Sequence, residues 1–266
     1  MLKASGCEYA MYDMEHSGFT MHDMKEQFAY CRGLNVQPLV RPPGKDYYST
    51  ALLLDLGAMG VMWPMVESRA EAEELVSYTR YARSREDART RRHSFDGVRG
   101  ALFGGAHDDY RGGDVGDKMR KIAQRTLNIV LIETAAGLAN VDEIAATPGV
   151  DVLHLGHFDL SLSLGIPGQF DHPALQNGID DIIDACEKHG KAAATLAGDV
   201  ETAKQGLDRG FRMMSYGYDI GLLQSSLTHG IDQCREHHER YGIDSSMRLR
   251  RSKRKKGGKS RSRGTY

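Results

Sequence analysis

Short apolar runs alternate with amphipathic segments along the whole chain. Positions 9–13, 36–41, 59–65, 127–133, 150–156, 192–196 and 212–216 read as strands. They are near-continuously apolar, as strands are when both faces are covered and neither alternates toward water. The segments between them carry helical spacing. Ser68 with Glu71 three residues on predicts a capping box, followed by Ala72, Leu75, Val76 and Thr79 on one face. Pro173 opens another helix at its first position, with Leu175, Ile179, Ile182, Ile183 and Cys186 as the apolar stripe. Gly190 ends that helix, where a left-handed C-cap is expected. Strands alternating with helices predict a parallel sheet covered on both sides.

The pattern gives seven βα units, one short of a (β/α)8 barrel. Residues 1–246 match the usual barrel length of about 250 residues. The expected fold is therefore a TIM (β/α)8 barrel lacking its first βα unit, lost from the start of the chain or replaced by another closing element. An open doubly wound sheet is the rival, but no strand is followed by the GxGxxG turn that such folds use. Two segments stand outside the pattern. An Arg-rich insertion lies near 80–95, and 247–266 is poor in apolar residues and expected to be a disordered tail. Gly258-Lys259-Ser260 imitates the end of a P-loop, but Lys253 stands where that motif needs glycine and no strand precedes it.

Charge changes the picture only when divided. The tail holds ten Lys/Arg and no Asp/Glu; taking these from the chain's 35 Lys+Arg leaves 25 against 36 Asp+Glu, so residues 1–246 carry a net −11. An acidic body argues against nucleic acid as a partner. No apolar run approaches 18 residues, which excludes a helical membrane span. The opening Met1-Leu2-Lys3-Ala4-Ser5-Gly6 leads into charged chain without an apolar signal region. Cys7, Cys31, Cys186 and Cys234 are widely spaced with no CxxC, as in a reduced, cytoplasmic protein.

Catalytic groups in a barrel sit where strands end. The first run ends at Asp13-Met14-Glu15-His16, the second at Arg41-Pro42, the fourth at Glu133-Thr134, and the fifth leads into Gly156-His157-Phe158-Asp159. Glu133 and Asp159 offer hard oxygen ligands that favour Mg2+ or Mn2+, with Co2+ a further candidate, and leave positions open for water and a 2-oxo acid. Arg41 would place fixed positive charge beside a developing enolate, and His16, oriented by Asp13, would be the base, acting through a water. His157 lies within the same mouth. Each residue also has a plainer reading. Asp159 before Leu-Ser-Leu-Ser suits a helix cap, Arg41 before Pro42-Pro43 a loop tie, and His16 a turn. The methionines of 59–65 suit core packing.

These residues, in this order, resemble the HpcH/HpaI aldolase family, the metal-dependent class II pyruvate aldolases of the superfamily that also holds citrate-lyase-type enzymes. The resemblance spans roughly residues 5–235. It is carried by Tyr12-Asp13-Met14-Glu15-His16, Val40-Arg41-Pro42, Leu53-Leu54-Asp55-Leu56-Gly57-Ala58, Pro64-Met65-Val66, Ile132-Glu133-Thr134 and Gly156-His157-Phe158-Asp159-Leu160-Ser161. It implies a barrel of the phosphoenolpyruvate/pyruvate type, a divalent metal on Glu133 and Asp159, and an enolate-stabilising Arg41 with a His16–Asp13 pair. It also implies substrate-carboxylate contacts around Gly156, His157 and Phe158, and a homo-oligomer, a hexamer in the family, to which Asp55 lends a group to the neighbouring subunit's site. The chain departs from the family in four places. Its first unit is missing, Leu131 stands where glutamine is usual, Gly156-His157 replaces Gly-Pro, and the Arg-rich stretch replaces a short Pro/Gly linkage.

The function expected is a carbon–carbon lyase cleaving or forming 4-hydroxy-2-oxo acids through a pyruvate-type enolate, its partners a small 2-oxo acid and an aldehyde. A CoA-thioester lyase of the same superfamily and a degenerate, non-catalytic metal-binding barrel are the alternatives.

Overall fold

The computed structural model describes residues 1–82 and 97–240. The basic tail, and all but the first residues of the Arg-rich insertion, lie outside them.

Seven parallel strands form one sheet: β1 (Tyr9–Asp13), β2 (Gln37–Arg41), β3 (Gly60–Trp63), β4 (Leu127–Ile132), β5 (Val152–Leu155), β6 (Ala192–Ala197) and β7 (Met213–Tyr216). All seven lie where the apolar runs place them, trimmed by one or two residues at half of their ends and extended by one at the end of β6. Neighbours in sequence are neighbours in the sheet, in the order β1-β2-β3-β4-β5-β6-β7. A doubly wound sheet reverses its strand order at a switch point, so this succession is barrel order. The sheet curls until its two edge strands meet through side chains: Tyr9 Oη and Ser215 Oγ are 3.0 Å apart. The result is a nearly closed barrel of seven strands, a TIM-barrel variant short of one βα unit.

The helices are α1 (Met21–Cys31), α2 (Tyr47–Leu56), α3 (Arg69–Thr79), α4 (Val115–Arg125), α5 (Ala135–Ala139), α6 (Val141–Ala145), α7 (His157–Ser163), α8 (Pro173–His189) and α9 (Val200–Arg209). Most of their starts, though not those of α6 and α7, are fixed by side-chain caps, including Thr20 on α1, Asp46 on α2, Asp114 on α4 and Asp199 on α9. Each such cap satisfies an otherwise orphaned amide, contributing about 1 kcal/mol. The predicted box at Ser68 forms by half. Ser68 Oγ accepts from the Glu71 amide at 3.2 Å, but Glu71 Oε2 accepts from the Glu67 amide at 2.8 Å and not from residue 68. Lys45 pairs with the other Glu71 oxygen, which draws that side chain toward the loop after β3. Helix α8 begins with Pro173 and ends at Gly190 with φ of 65°, as the sequence predicts.

Strand alternation divides the core in two. Leu39, Met62, Ile129, Leu131, Val152 and Ala194 fill the barrel interior. Val40, Val61, Trp63, Val130, Ile132, Leu153 and Leu155 face outward beneath the helices. Full burial of one such aliphatic side chain contributes about 1.5–3 kcal/mol. A separate unit begins at Gly217. It contains α10 (Asp219–Arg240), whose spacing puts Ile220, Leu223, Leu227 and Ile231 on one face. Among the described residues, no helix is long and apolar enough to cross a membrane.

Trp63, the chain's single tryptophan, is fully buried, and its Nε1 donates to Thr50 Oγ1 on α2 at 3.1 Å. Thr50→Val keeps the volume and removes the acceptor. It is expected to destabilise the barrel by about 1–3 kcal/mol, since a buried indole N–H would be left unpaired. Equilibrium urea unfolding followed by Trp63 fluorescence checks this.

Candidate active site

The inward alternation that fills the barrel with Leu39, Leu131 and Val152 also determines what appears at its mouth. Continued to the strand ends, it delivers Asp13 from β1, Arg41 from β2 and Glu133 just past β4 to one end of the sheet. Arg41 donates to Asp13 through Nε at 2.8 Å and through Nη2 at 2.5 Å, a two-pronged ion pair. Its third nitrogen, Nη1, lies 3.1 Å from Glu15 Oε2. Burial disfavours the guanidinium charge, but Asp13 and then Glu15 outweigh burial and raise its pKa. Burial likewise opposes ionisation of Asp13, and the bonds from Arg41 reverse this, lowering its pKa.

Glu133 is 2% exposed. Its Oε1 accepts from the Met65 amide at 2.7 Å. Met65 holds φ at 48°, a left-handed conformation that costs a side-chain-bearing residue about 1–3 kcal/mol. Its carbonyl accepts from Lys45 Nζ at 2.6 Å, so the strained peptide is tied on both sides. On the opposite side of Glu133 lies Gly156. A Cβ at 156 would come within 2.5 Å of Glu133 Cβ and 2.6 Å of Oε2, which leaves room only for glycine. Burial raises the Glu133 pKa, as do the charges of Asp159 and Glu15, while the Met65 amide and Arg41 pull it down.

Asp159 is in the first turn of α7, three residues past the N-cap Gly156, so it is not that helix's cap. No hydrogen bond to its carboxylate is found among the described residues. Gly156 donates its amide to Ile132 O at 3.1 Å. The amides of His157 and Phe158 belong to the first turn, where no intrahelical acceptor exists. The rings of His157, Phe158 and Phe170 form a cluster with centroids 4.7–5.2 Å apart. Burial lowers the His157 pKa. His154, on the inward face of β5 in register with Leu131, is buried with Nδ1 3.1 Å from Leu155 O, and burial takes its pKa down to about 4.

The structure thus brings together Asp13, Arg41 and Glu133 of the predicted residues, with Asp159 close enough to act on Glu133 by its charge. It gives His16 a different partner from the one expected. Asp13 Oδ1 accepts from the backbone amides of Glu15 and His16 at 3.0 and 3.4 Å, whereas the carboxylate facing the His16 ring is Glu15, 3.7 Å from Nε2. Asp55 stands elsewhere. It occupies the last turn of α2, roughly 12 Å along the helix from the end that follows β2, and pairs with Arg99 at 2.7 Å in its own chain. Glu15, His154 and the Met65 amide carried no role in the sequence reading. Pro64-Met65-Val66 was visible as a motif, but nothing in it announces a backbone donor.

A parallel barrel with acidic groups and an arginine gathered at the strand ends has its candidate site where barrel enzymes carry theirs. Residues 1–226 match the HpcH/HpaI aldolase/citrate lyase family, and the chain belongs to it. It is 34% identical over 221 residues to a hydroxypyruvate/pyruvate aldolase of Paraburkholderia phytofirmans, covering 82% of this chain and 81% of that one. A 5-keto-4-deoxy-D-glucarate aldolase of Shigella boydii is 30% identical over 226 residues, covering 85% and 82%. The crystal structure of a family protein from Burkholderia cenocepacia superposes with a TM-score of 0.79 at 30% identity, covering 88% of each chain. The protein is accordingly a carbon–carbon lyase acting on small substrates of the 2-oxo-acid kind.

A buried carboxylate with a raised pKa weakens the fold once ionised. Stability of the metal-free protein is expected to fall as pH rises from the ordinary glutamate value through the raised value of Glu133. Glu133→Gln, which keeps an acceptor for the Met65 amide, removes that fall. The variant should be more stable than wild type at pH 7–8 and no more stable below about pH 4, measured by denaturant unfolding in chelator across that range.

Proposed function

We propose that the protein is a divalent-metal-dependent aldolase that cleaves or forms 4-hydroxy-2-oxo acids, yielding pyruvate or a close analogue and an aldehyde. The observation that carries this is Glu133: a carboxylate buried at the strand ends, raised further by Asp159 and Glu15, and fixed by an amide on one oxygen. Once ionised, such a group is stabilised by a cation beside it. Among the described residues no set of three or more His, Cys, Asp or Glu surrounds a common point. Two hard carboxylates suit Mg2+ or Mn2+, which keep several waters, better than a closed zinc cage. Glu133 and Asp159 would hold the ion. When bound, it supplies Lewis-acid stabilisation of enolate charge.

This chain's own groups do the remainder. Arg41, aligned by Asp13 and Glu15 before substrate arrives, presents positive charge without reorganising, which is where electrostatic catalysis gains most. The first-turn amides of His157 and Phe158 would orient the substrate carboxylate, next to Gly156. His16, exposed at the rim, would move a proton through a water between solvent and the reacting carbon or aldehyde oxygen. The hydroxypyruvate/pyruvate aldolase named among the relatives favours pyruvate-like substrates. A homo-oligomer fits the placement of Asp55 at the end of α2 remote from its own barrel mouth, where it would serve a neighbouring subunit.

Pyruvate release from a 4-hydroxy-2-oxo acid, measured by a coupled assay with Mg2+ or Mn2+ and with chelator, tests the reading. Metal-dependent turnover is expected, reduced by about 10³-fold or more in Glu133→Ala and by about 10²–10³-fold in Arg41→Lys. Turnover that survives chelation and the loss of Glu133 would overturn it.

A further inference from the structure

Asp13 has little capacity left for an imidazole. Its Oδ1 already accepts from Arg41 Nε and from two backbone amides, and its Oδ2 faces Arg41 Nη2. Glu15 differs. Its Oε2 is buried yet accepts no hydrogen bond. That oxygen sits 3.1 Å from Arg41 Nη1, in an ion pair without hydrogen-bond alignment, and 3.7 Å from His16 Nε2. A buried carboxylate oxygen without a donor costs about 1–3 kcal/mol or more, so the position favours any donor that closes on it. Arg41 Nη1 is nearer but misaligned, and the next donor group is the His16 ring, whose side chain is 61% exposed. Glu15 also acts on Glu133 by its charge. It therefore stands between the arginine, the histidine and the buried carboxylate.

We propose that Glu15 is the positioning residue of this site, orienting the His16 imidazole and coupling it to Arg41, while Asp13 serves only to fix Arg41 and the backbone of the 13–17 turn. The proposal rests on the aldolase reading above. Glu15 itself takes up no proton in it. A proton leaving C3 of pyruvate passes through water to His16 and returns as a solvent proton, and Glu15 keeps the imidazole aimed along that path.

Exchange of the pyruvate methyl protons in D2O with Mg2+, followed by proton NMR, reads this step without an aldehyde. Glu15→Gln is expected to slow exchange by about tenfold or more, and His16→Asn by about 10²-fold. If Glu15 acts through His16, the double variant is no slower than His16→Asn alone within about threefold, because there is no imidazole left to orient. Asp13→Asn combined with His16→Asn multiplies instead. Glu15→Asp, which shortens the side chain and keeps its charge, recovers part of the rate in the presence of His16 and none in its absence, and it serves for the cycle if Glu15→Gln does not fold. Multiplying effects of Glu15 and His16, or a Glu15→Gln variant at the wild-type rate, overturn the proposal while the aldolase reading stands. A wild-type protein with neither Mg2+-dependent exchange nor pyruvate release overturns both.

Discussion

The site depends on one constraint: the Glu133 carboxylate is almost fully buried, packed where a Cβ at 156 cannot stand. Once Glu133 is placed, its neighbours have few choices. Residue 156 must be glycine, since any larger residue would overlap Glu133 Cβ. Met65 must turn left-handed to bring its amide to Oε1. Lys45 then braces the Met65 carbonyl and Glu71 together, and Glu71 in turn reaches the Glu67 amide at the start of α3. Three successive βα connections are thus tied to a single side chain. Strain at Met65 and unfavourable burial of Glu133 are tolerated because about forty apolar side chains elsewhere in the barrel are buried.

Charge at the mouth is ordered by the same principle. Arg41 is the one cation of the Asp13–Glu15–Glu133 group, and its bonds to Asp13 hold it in a fixed plane. The guanidinium is thereby held in one orientation by groups of its own chain. His154 and His157 add no competing positive charge at neutral pH, since burial lowers the pKa of each. The mouth therefore carries excess negative charge around one arginine that two carboxylates hold in place.

The fold was legible because a buried parallel strand writes its whole length in apolar residues. The seven runs at 9–13 through 212–216 each became a strand, and their even alternation with helices implied the barrel order. The residues at strand ends were legible for a related reason: Asp13, Arg41 and Glu133 are charges that break apolar runs where barrel strands end. Partner choice was not legible. Sequence proximity paired Asp13 with His16, but the parallel register sets Asp13 opposite Arg41, and a guanidinium two prongs deep outcompetes a mobile ring at the rim. The plainer reading of Asp159, beside that of a metal ligand, was a helix cap, yet Gly156 begins that helix three residues earlier. Met65 was invisible as a donor, since any residue supplies an amide and only the turn aims it.

The exchange of Gly-Pro for Gly156-His157 illustrates how one local requirement is met by different chemistry. Proline at the first position of a helix fixes φ and removes an amide that would have no partner. Histidine keeps that amide and gives up the fixed φ, so the turn gains a hydrogen-bond donor and must be stiffened by other means. Here the stiffening comes from ring packing. His157 lies 4.7 Å from Phe158 and 5.2 Å from Phe170, and the two phenyl rings meet edge to face at 4.8 Å. Such ring pairs contribute about 0.5–1.5 kcal/mol each beyond the area they bury. That is comparable to the entropy a proline removes from the unfolded chain. The cluster also draws the loop carrying Phe170 against the first turn of α7. The segment that carries Asp159 is thereby braced by the ring cluster, and the amide at 157 has no intrahelical partner.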